Sequence, residues 1–507
     1  MNALSEKVYL CLSMPADDDS RSDQMRIRQA LEDLGYKHIA FTLSALQGLY
    51  PLCRESDYRI TVSLVRRELD WVVTGVEAGD TRNQHYGLAV DYGSTTIVMQ
   101  LVDLNTGKVL AEEKVVNRQT QYGTDILTRI TYVMEDSKHA EDLQKATVET
   151  FNELLTAIAE KAGINTRNLP AMVISGNTTM IHFLLKLDAW TVFASPYAPV
   201  CTAPGFLEGN HLGMDFAGIV YIIPSASNYI GGDIVSGLLR LDIHKGEKTC
   251  LFFDIGTNGE LVIGNKEWMM AGAGAAGPAL EGYISKFGMR AAPGAIDHVK
   301  IEGQNLTYTT IGGLPPVGIC GSGIIDLLAM MRLNGWIDIA GDLQPDGNPN
   351  IIYIEEQYAA VYAHTEDGAP LYFSQTDIGQ YLETKAAAYT MMECLLDEVG
   401  ATMEDMEKIY LSGAFPAHSD LESAIAIGIF PDLSREKCAC IPNTSLDGAR
   451  ILLTDRVRMS EVKTLSEELH CLQFASVPDF LVRMQAAKFI PHTDMARYPT
   501  VRAKLKE

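Results

Sequence analysis

The sequence predicts a mixed α/β protein with two related subdomains behind a small α+β N-terminal region. Three observations carry this expectation. First, "LAVDYGSTTIV" (88–98) and "LFFDIGTNGEL" (251–261) share one pattern: an apolar strand, an aspartate, a glycine turn and a second strand. Second, long helices predicted over 138–162 and 376–399 alternate with strands such as "PAMVISG" and "KIYLSGAFP". Third, 507 residues are too many for one ordinary core.

In chain order, residues 1–85 read as the small α+β region. "RIRQALEDLGY" is an amphipathic helix with Ile27, Leu31 and Leu34 on its apolar face, and "YRITVSLV" and "ELDWVVTGVE" alternate as strands. The polar stretch "EAGDTRNQH" (77–85) marks a boundary. Beyond it, "LNTG" joins "IVMQLVDL" to "KVLAEEKVV" as a hairpin. The pattern headed by Asp91 then recurs at Asp254, a duplication at domain scale and not a solenoid period. Subdomain one is expected over about 86–250 and subdomain two over about 251–507. Residues 340–372 are polar and turn-rich and read as peripheral. "NTSLDGARILL" (443–453) opens a further helix, with Asn443 or Ser445 as its N-cap.

Charge narrows the function classes. Lys and Arg number 41 against 65 Asp and Glu, a formal net charge of −24. Such a surface disfavours nucleic acid and anionic membrane as partners. An anionic ligand then depends on local devices: metal ions, backbone N–H groups and helix N-termini. The first twenty residues do not read as a signal peptide, and no apolar run reaches the length of a membrane span. Nine scattered cysteines suit a reducing cytoplasm. The one close pair, Cys438 and Cys440, reads as two ordinary thiols beside a strand.

A strand that delivers an aspartate to a glycine turn sets a carboxylate beside unpaired backbone N–H groups. Glycine lets the backbone approach a phosphate, and the carboxylate can hold Mg²⁺ or orient a water. Two such turns facing each other across a cleft would hold phosphates from both sides. Acidic hairpin turns are common, so one alone says little; two with the same core say more. At Ser412-Gly413-Ala414, small residues at a strand end leave room for a flat purine, or form an ordinary strand-to-helix turn. The glycine loops at 271–282 and 316–328 each lead towards a helix. They either present its N-terminus to phosphate or serve close helix packing, and neither matches the Walker pattern.

Together, "VDYGSTT", "FFDIGTNGE" and "YLSGAFP" resemble the phosphate-1, phosphate-2 and adenosine motifs of the acetate and sugar kinase, heat-shock chaperone and actin superfamily. That resemblance implies two actin-like, ribonuclease-H-like subdomains around an ATP cleft. Within the superfamily, "ISGNTTMIHFLL", "IPSASNYIGGDIVSG", "GMRAAPGAI", "GICGSGIIDL" and "NTSLDGAR" resemble the reductive activators of corrinoid proteins. The similarity runs from about residue 86 to the C-terminus, and more weakly through 8–85.

Carried over by position, Asp91, Gly93, Ser94 and Thr95 match phosphate-1. Asp254, Gly256, Thr257, Asn258 and Gly259 match phosphate-2, and Gly413 and Ala414 match the adenosine loop. The resemblance implies catalytic and metal-facing roles for Asp91 and Asp254. Asp233, after Gly231-Gly232, is a candidate second metal or water contact; a helix-start carboxylate favoured by the dipole is the other reading.

The implied function is ATP- and Mg²⁺-dependent activation of a corrinoid protein of a methyltransferase system, returning cobalt(II) to cobalt(I). The sequence departs from the family in one respect. A plant-type [2Fe–2S] ferredoxin domain needs C-x₄-C-x₂-C plus a fourth cysteine, and no three cysteines here have that spacing. No iron–sulfur cluster is therefore expected, and a separate iron–sulfur protein is expected to supply electrons. A cluster shared between Cys438 and Cys440 of two subunits is the alternative, and homodimerisation stays open. Two rival functions stand beside the main one: a nucleotide-gated scaffold for the corrinoid protein or its reductase, and a small-molecule kinase of the same superfamily.

Overall fold

Alternating apolar residues become sheets throughout the chain. The structure, a computed structural model, describes residues 2–256, 258–274, 284–413 and 420–505. It divides into two units, Met1–Asp242 with Thr444–Glu468, and Ile243–Asn443 with Leu469–Glu507.

The first unit opens with β1 (Ser5–Cys11), β2 (Ile39–Phe41), β3 (Arg59–Arg66) and β4 (Trp71–Ala78), in the sheet order β1-β3-β4-β2. The sequence reading recognised β3 and β4 but not β1, which pairs antiparallel with β3 from Ser5↔Val65 to Cys11↔Arg59. Helix Asp23–Asp33 starts where the Ser22 side chain accepts from the Met25 N–H. It buries Ile27 and Leu31 among Ile60, Val62, Leu64 and Val73. Leu34, which periodicity placed on the same face, is the C-cap and stays exposed. The helix stops one residue too early to turn it inward.

Six further strands follow: β5 (Tyr86–Tyr92), β6 (Thr96–Asp103), β7 (Val109–Val116), β8 (Ala171–Gly176), β9 (Gly205–Glu208) and β10 (Ile219–Ile222). Their order is β7-β6-β5-β8-β10-β9. β5, β6 and β7 form the antiparallel meander, and β8 lies parallel to both β5 and β10. Every residue of β8 is buried, as a strand covered on both faces requires. The helix predicted over 138–162 is His139–Ala162 and ends on Gly163 at φ 66°.

Residues 444–468 belong to this first unit, whereas the sequence reading grouped them with everything after 251. The reason is local. Helix Thr444–Thr454 packs on helix Gly232–Leu241 so closely that a Cβ on Gly448 would lie 2.2 Å from the Ser236 carbonyl oxygen. The chain beyond it ties to the N-terminus, with Leu4 N–H donating to the Leu453 carbonyl at 2.9 Å and Arg456 pairing with Glu6 at 2.6 Å.

The second unit is built on β11 (Cys250–Ile255), β12 (Gly259–Gly264) and β13 (Met269–Gly274), the predicted strand-turn-strand repeat. Strands β14 (Ala295–Glu302), β15 (Asn305–Thr310) and β16 (Gly318–Ile319) form one small sheet. Another comprises β17 (Ile351–Ile354), β18 (Gln357–His364) and β19 (Pro370–Ser374). With β20 (Lys408–Ser412), β21 (Cys438–Ile441) and β22 (His470–Leu472), the main sheet runs β21-β20-β11-β12-β13-β22.

The stretch 340–372, read as peripheral, thus contributes strands whose Ala360, Tyr362 and Leu371 sit in the main core of this unit. Its dense Gly, Asn and Asp turns flank these strands and give the whole stretch a polar average. Helix Gln375–Glu398, predicted at 376–399, begins with a capping box between Ser374 and Asp377. From it, the buried Lys385 ammonium donates to the Ala487, Phe489 and Pro491 carbonyls. Among the described residues no helix is long and apolar enough to cross a membrane.

His85, where the N-terminal sheet meets β5, is buried with Nε2 2.7 Å from the Ser5 hydroxyl. Burial, with the Lys7 charge adding to it, pushes its imidazole down to about 4. The unfolded chain takes up this proton below about pH 6.5, the folded chain only near 4. Stability is therefore lost as pH falls through that window, by at most about 3 kcal/mol. We expect urea unfolding of the wild type to lose more stability between pH 7 and 4.5 than His85→Gln; equal losses would exclude His85 as the titrating group.

Candidate functional site

In the first unit, Asp91 lies one residue before the end of β5, opposite Val98 on β6 and Ser175 on β8. The turn that follows has no room for a side chain at Gly93, where a Cβ would meet the Thr96 carbonyl oxygen at 2.4 Å. Asn117 holds this turn from behind. Its side chain donates to the Gly93 carbonyl at 3.0 Å, and its backbone N–H donates to the Thr95 carbonyl at 2.9 Å. Ser94 and Thr95 keep part of their surface.

Two further features converge on Asp91. The Ser445 hydroxyl, on helix Thr444–Thr454, donates to Asp91 Oδ1 at 2.7 Å. Of the two capping candidates, Asn443 immediately precedes the helix, which starts at Thr444, while Ser445 lies inside it and its hydroxyl serves the carboxylate. Asp233 stands in the first turn of helix Gly232–Leu241, where its Oδ1 accepts from the Ile234 N–H at 2.9 Å. Burial pushes its carboxyl up to about 7, and the Asp91 charge adds to the shift despite that hydrogen bond. Helix-start geometry and electrostatic contact with Asp91 thus coexist in one residue.

The second unit repeats the arrangement. Asp254 lies one residue before the end of β11, opposite Glu260 on β12 and Ser412 on β20. The turn is tied by the Gly256 N–H donating to the Asn258 carbonyl at 3.0 Å, and Gly259 opens β12. Thr257 and Ala414 lie outside the described residues, as do most of the 271–282 glycine loop and its end at Gly282. Gly413, at φ 100°, brings the end of β20 against the turn: a Cβ there would lie 2.2 Å from the Ile255 carbonyl oxygen and 2.9 Å from Asp254 Oδ1. The second glycine loop leads into helix Gly321–Leu333, where a Cβ on Gly323 would meet the Ile296 carbonyl oxygen at 2.5 Å. That is the close-packing reading of this loop.

The two units match in register. Asp91 faces Ser175 of "ISGN", and Asp254 faces Ser412 of "LSGA", each across parallel strands. Sequence reasoning singled out both segments but missed their equivalence. It also passed over Asn117 and Glu260, and read Ser445 only as a capping candidate. Glu260 was visible in "TNGE", while Ser445 becomes relevant only through tertiary contact. Cys438 and Cys440 are free thiols on β21, and burial pushes both up, away from the thiolate form.

Paired aspartate–glycine turns on mixed sheets define a protein of the ASKHA class. The model for the C-terminal domain of RACo, the ASKHA domain, matches residues 248–502. Those for the RACo middle and linker regions match 86–246 and 1–83. The chain belongs to the RACo family, the reductive activators of corrinoid proteins. It is 30% identical over 424 residues to the corrinoid activation enzyme RamQ of Eubacterium limosum, covering 81% of this chain and 71% of that one. It is 24% identical over 420 residues to the Co(II) methylated amine-specific corrinoid protein reductase of Methanosarcina barkeri, covering 76% and 73%. A solved reductive activator for corrinoid, iron–sulfur protein superposes with a TM-score of 0.88 at 35% identity, covering 98% of this chain and 81% of that one.

The packing at Gly413 makes a direct prediction. Gly413→Ala places a side chain in a left-handed conformation against two backbone atoms and should cost about 2–3 kcal/mol. Gly379→Ala lies on an exposed stretch of helix Gln375–Glu398 with nothing within 4 Å and should stabilise by about 0.5–1 kcal/mol. Chemical denaturation of both variants checks the pair, and a neutral Gly413→Ala would show that the backbone relaxes freely there.

Proposed function

We propose that this chain is a Mg-ATP-dependent activator of a corrinoid protein of a methyltransferase system. It would help one electron from a separate low-potential iron–sulfur donor convert inactive cobalt(II) into cobalt(I). The observation that carries the reading is family membership along nearly the whole chain, with relatives named for corrinoid activation and for corrinoid Co(II) reduction. The free cysteines suit a reducing cytoplasm.

The residues fit the cofactor the family implies. Carboxylate oxygens at Asp91 and Asp254 are hard ligands suited to Mg²⁺. A Cβ is excluded at Gly93 and at Gly413 by neighbouring backbone, which keeps each turn tight beside its aspartate. In the first unit we assign Asp91, Ser94 and Thr95 to Mg-ATP, with Asp233 as a further carboxyl beside Asp91. In the second we assign Asp254, Thr257, Asn258, Gly413 and Ala414. When bound, Mg²⁺ neutralises phosphate charge. The chain's own residues hold the phosphates through turn N–H groups and hydroxyls, and the aspartates orient a water.

Each ~59 mV uphill is a tenfold disadvantage for a one-electron step. An activator must therefore bind its nucleotide states with affinities for the corrinoid protein that differ by a few kcal/mol.

Two outcomes test the reading. Asp254→Asn keeps the side-chain shape and removes its charge, so ATP hydrolysis should fall by about 10²-fold or more while the melting temperature is retained. Near-normal turnover in a folded variant removes Asp254 from the mechanism. Separately, capture of a cobalt(II) corrinoid protein should differ between ATP-analogue, ADP and nucleotide-free states. With titanium(III) or an added iron–sulfur protein, cobalt(I) should appear only when ATP is present. Equal capture in all states, or ATP-independent cobalt(I), overturns the proposal.

A further inference from the structure

Asp91 is the end of a line of buried hydroxyls. Ser236, on helix Gly232–Leu241, donates to Ser175 Oγ at 2.8 Å, and Ser175, on β8, lies 2.9 Å from Ser445 Oγ. Ser445, on helix Thr444–Thr454, donates to Asp91 Oδ1 at 2.7 Å. Ser175 and Ser236 are fully buried and Ser445 is 6% exposed. Each hydroxyl carries one proton. Since Ser445 gives its proton to Asp91 and Ser236 gives its proton to Ser175, the Ser175 proton is left for Ser445 or for the Gly232 carbonyl at 3.1 Å. With Ser175 donating to Ser445, three O–H dipoles run head to tail towards the carboxylate. Such chains strengthen each member, and the last bond, to an ionised acceptor, is the strongest.

This line spans four elements brought together by the tight crossing at Gly448.

We infer that Ser445 is a positioning residue for nucleotide hydrolysis, holding the plane of the Asp91 carboxylate through Oδ1, with Ser175 and Ser236 orienting Ser445 in turn. This rests on the reading that Asp91 acts on Mg-ATP. A carboxylate whose Oδ1 loses such a donor is held less firmly about its Cα–Cβ and Cβ–Cγ bonds, and misplacement of about 1 Å costs up to about 10²-fold in rate.

The experiment compares Ser445→Ala, Ser445→Thr, Asp91→Asn and the double variant Ser445→Ala/Asp91→Asn in the full chain. Readouts are kcat and KM for ATP hydrolysis, Mg-ATP affinity by calorimetry, and the nucleotide-free melting temperature. We expect Ser445→Ala to lower kcat about 10–100-fold with Mg-ATP affinity within about threefold. Ser445→Thr, which keeps the hydroxyl, should stay within about threefold of wild type in kcat. In the Asp91→Asn background, Ser445→Ala should cost nothing further, because its effect passes through Asp91.

Full activity of Ser445→Ala with Asp91→Asn inactive overturns the inference and leaves the reading of Asp91 standing. Additive losses in the double variant also overturn it. Normal activity of Asp91→Asn removes the reading itself. If Ser445→Ala fails to fold, Ser445→Cys keeps the volume with a weaker donor, and wild-type turnover there overturns the inference.

Discussion

A carboxylate at the end of a central strand can meet a ligand only if the parallel strand beside it leaves room. Both units meet this constraint in the same way. A serine faces the aspartate across the parallel ladder, and a glycine follows it, at Ser175-Gly176 and at Ser412-Gly413. Each glycine sits where a Cβ would press on a backbone carbonyl of the aspartate-bearing strand, Tyr92 in one case and Ile255 in the other. The separation of the two strand ends is therefore set by the absence of a side chain. The turns, the buried hydroxyls and the helices that follow all take their positions from that spacing.

The units differ in what surrounds the shared core. Opposite Asp91 stands apolar Val98, and a second carboxyl, Asp233, arrives from a helix start. Opposite Asp254 stands Glu260, so the second acid comes from the hairpin itself. Two carboxyl groups thus gather at each turn by different routes. In the first unit burial, with the Asp91 charge adding to it, raises the Asp233 carboxyl to about 7, and Asp91 receives a hydroxyl donor. Duplicated topology has kept the position of the leading aspartate and left its companion to local sequence.

Much of this was legible in one dimension. Aspartate–glycine turns, long helices and the strand-turn-strand repeat all depend on neighbours a few residues apart, where periodicity and turn chemistry act. The assignments that went astray depend on longer range. Leu34 fits a helical face but falls on the cap. Ile351–Ile354 and its neighbours are separated by polar turns that dominate the composition of the stretch, and the core they complete reveals them. Asn443 and Ser445 are equal capping candidates by residue type, yet the helix starts between them and the partner of Ser445 lies on a strand hundreds of residues earlier. No local rule distinguishes a serine that satisfies its own helix from one that serves a distant carboxylate.

The grouping of 444–468 with the first unit has a consequence for synthesis. A chain emerging from the ribosome makes β5 and its aspartate early, then spells out most of the second unit before Ser445 and Gly448 appear. The first unit cannot close its helix crossing until then. The second unit is interrupted in its turn, since Leu469–Glu507 follows that insertion and carries β22, the edge of its main sheet. Neither half can be finished before the other has largely been made. Maturation is thus interleaved, and a nascent chain stalled after β20 but before Ser445 holds two incomplete cores, each exposing the apolar seam its missing piece would cover.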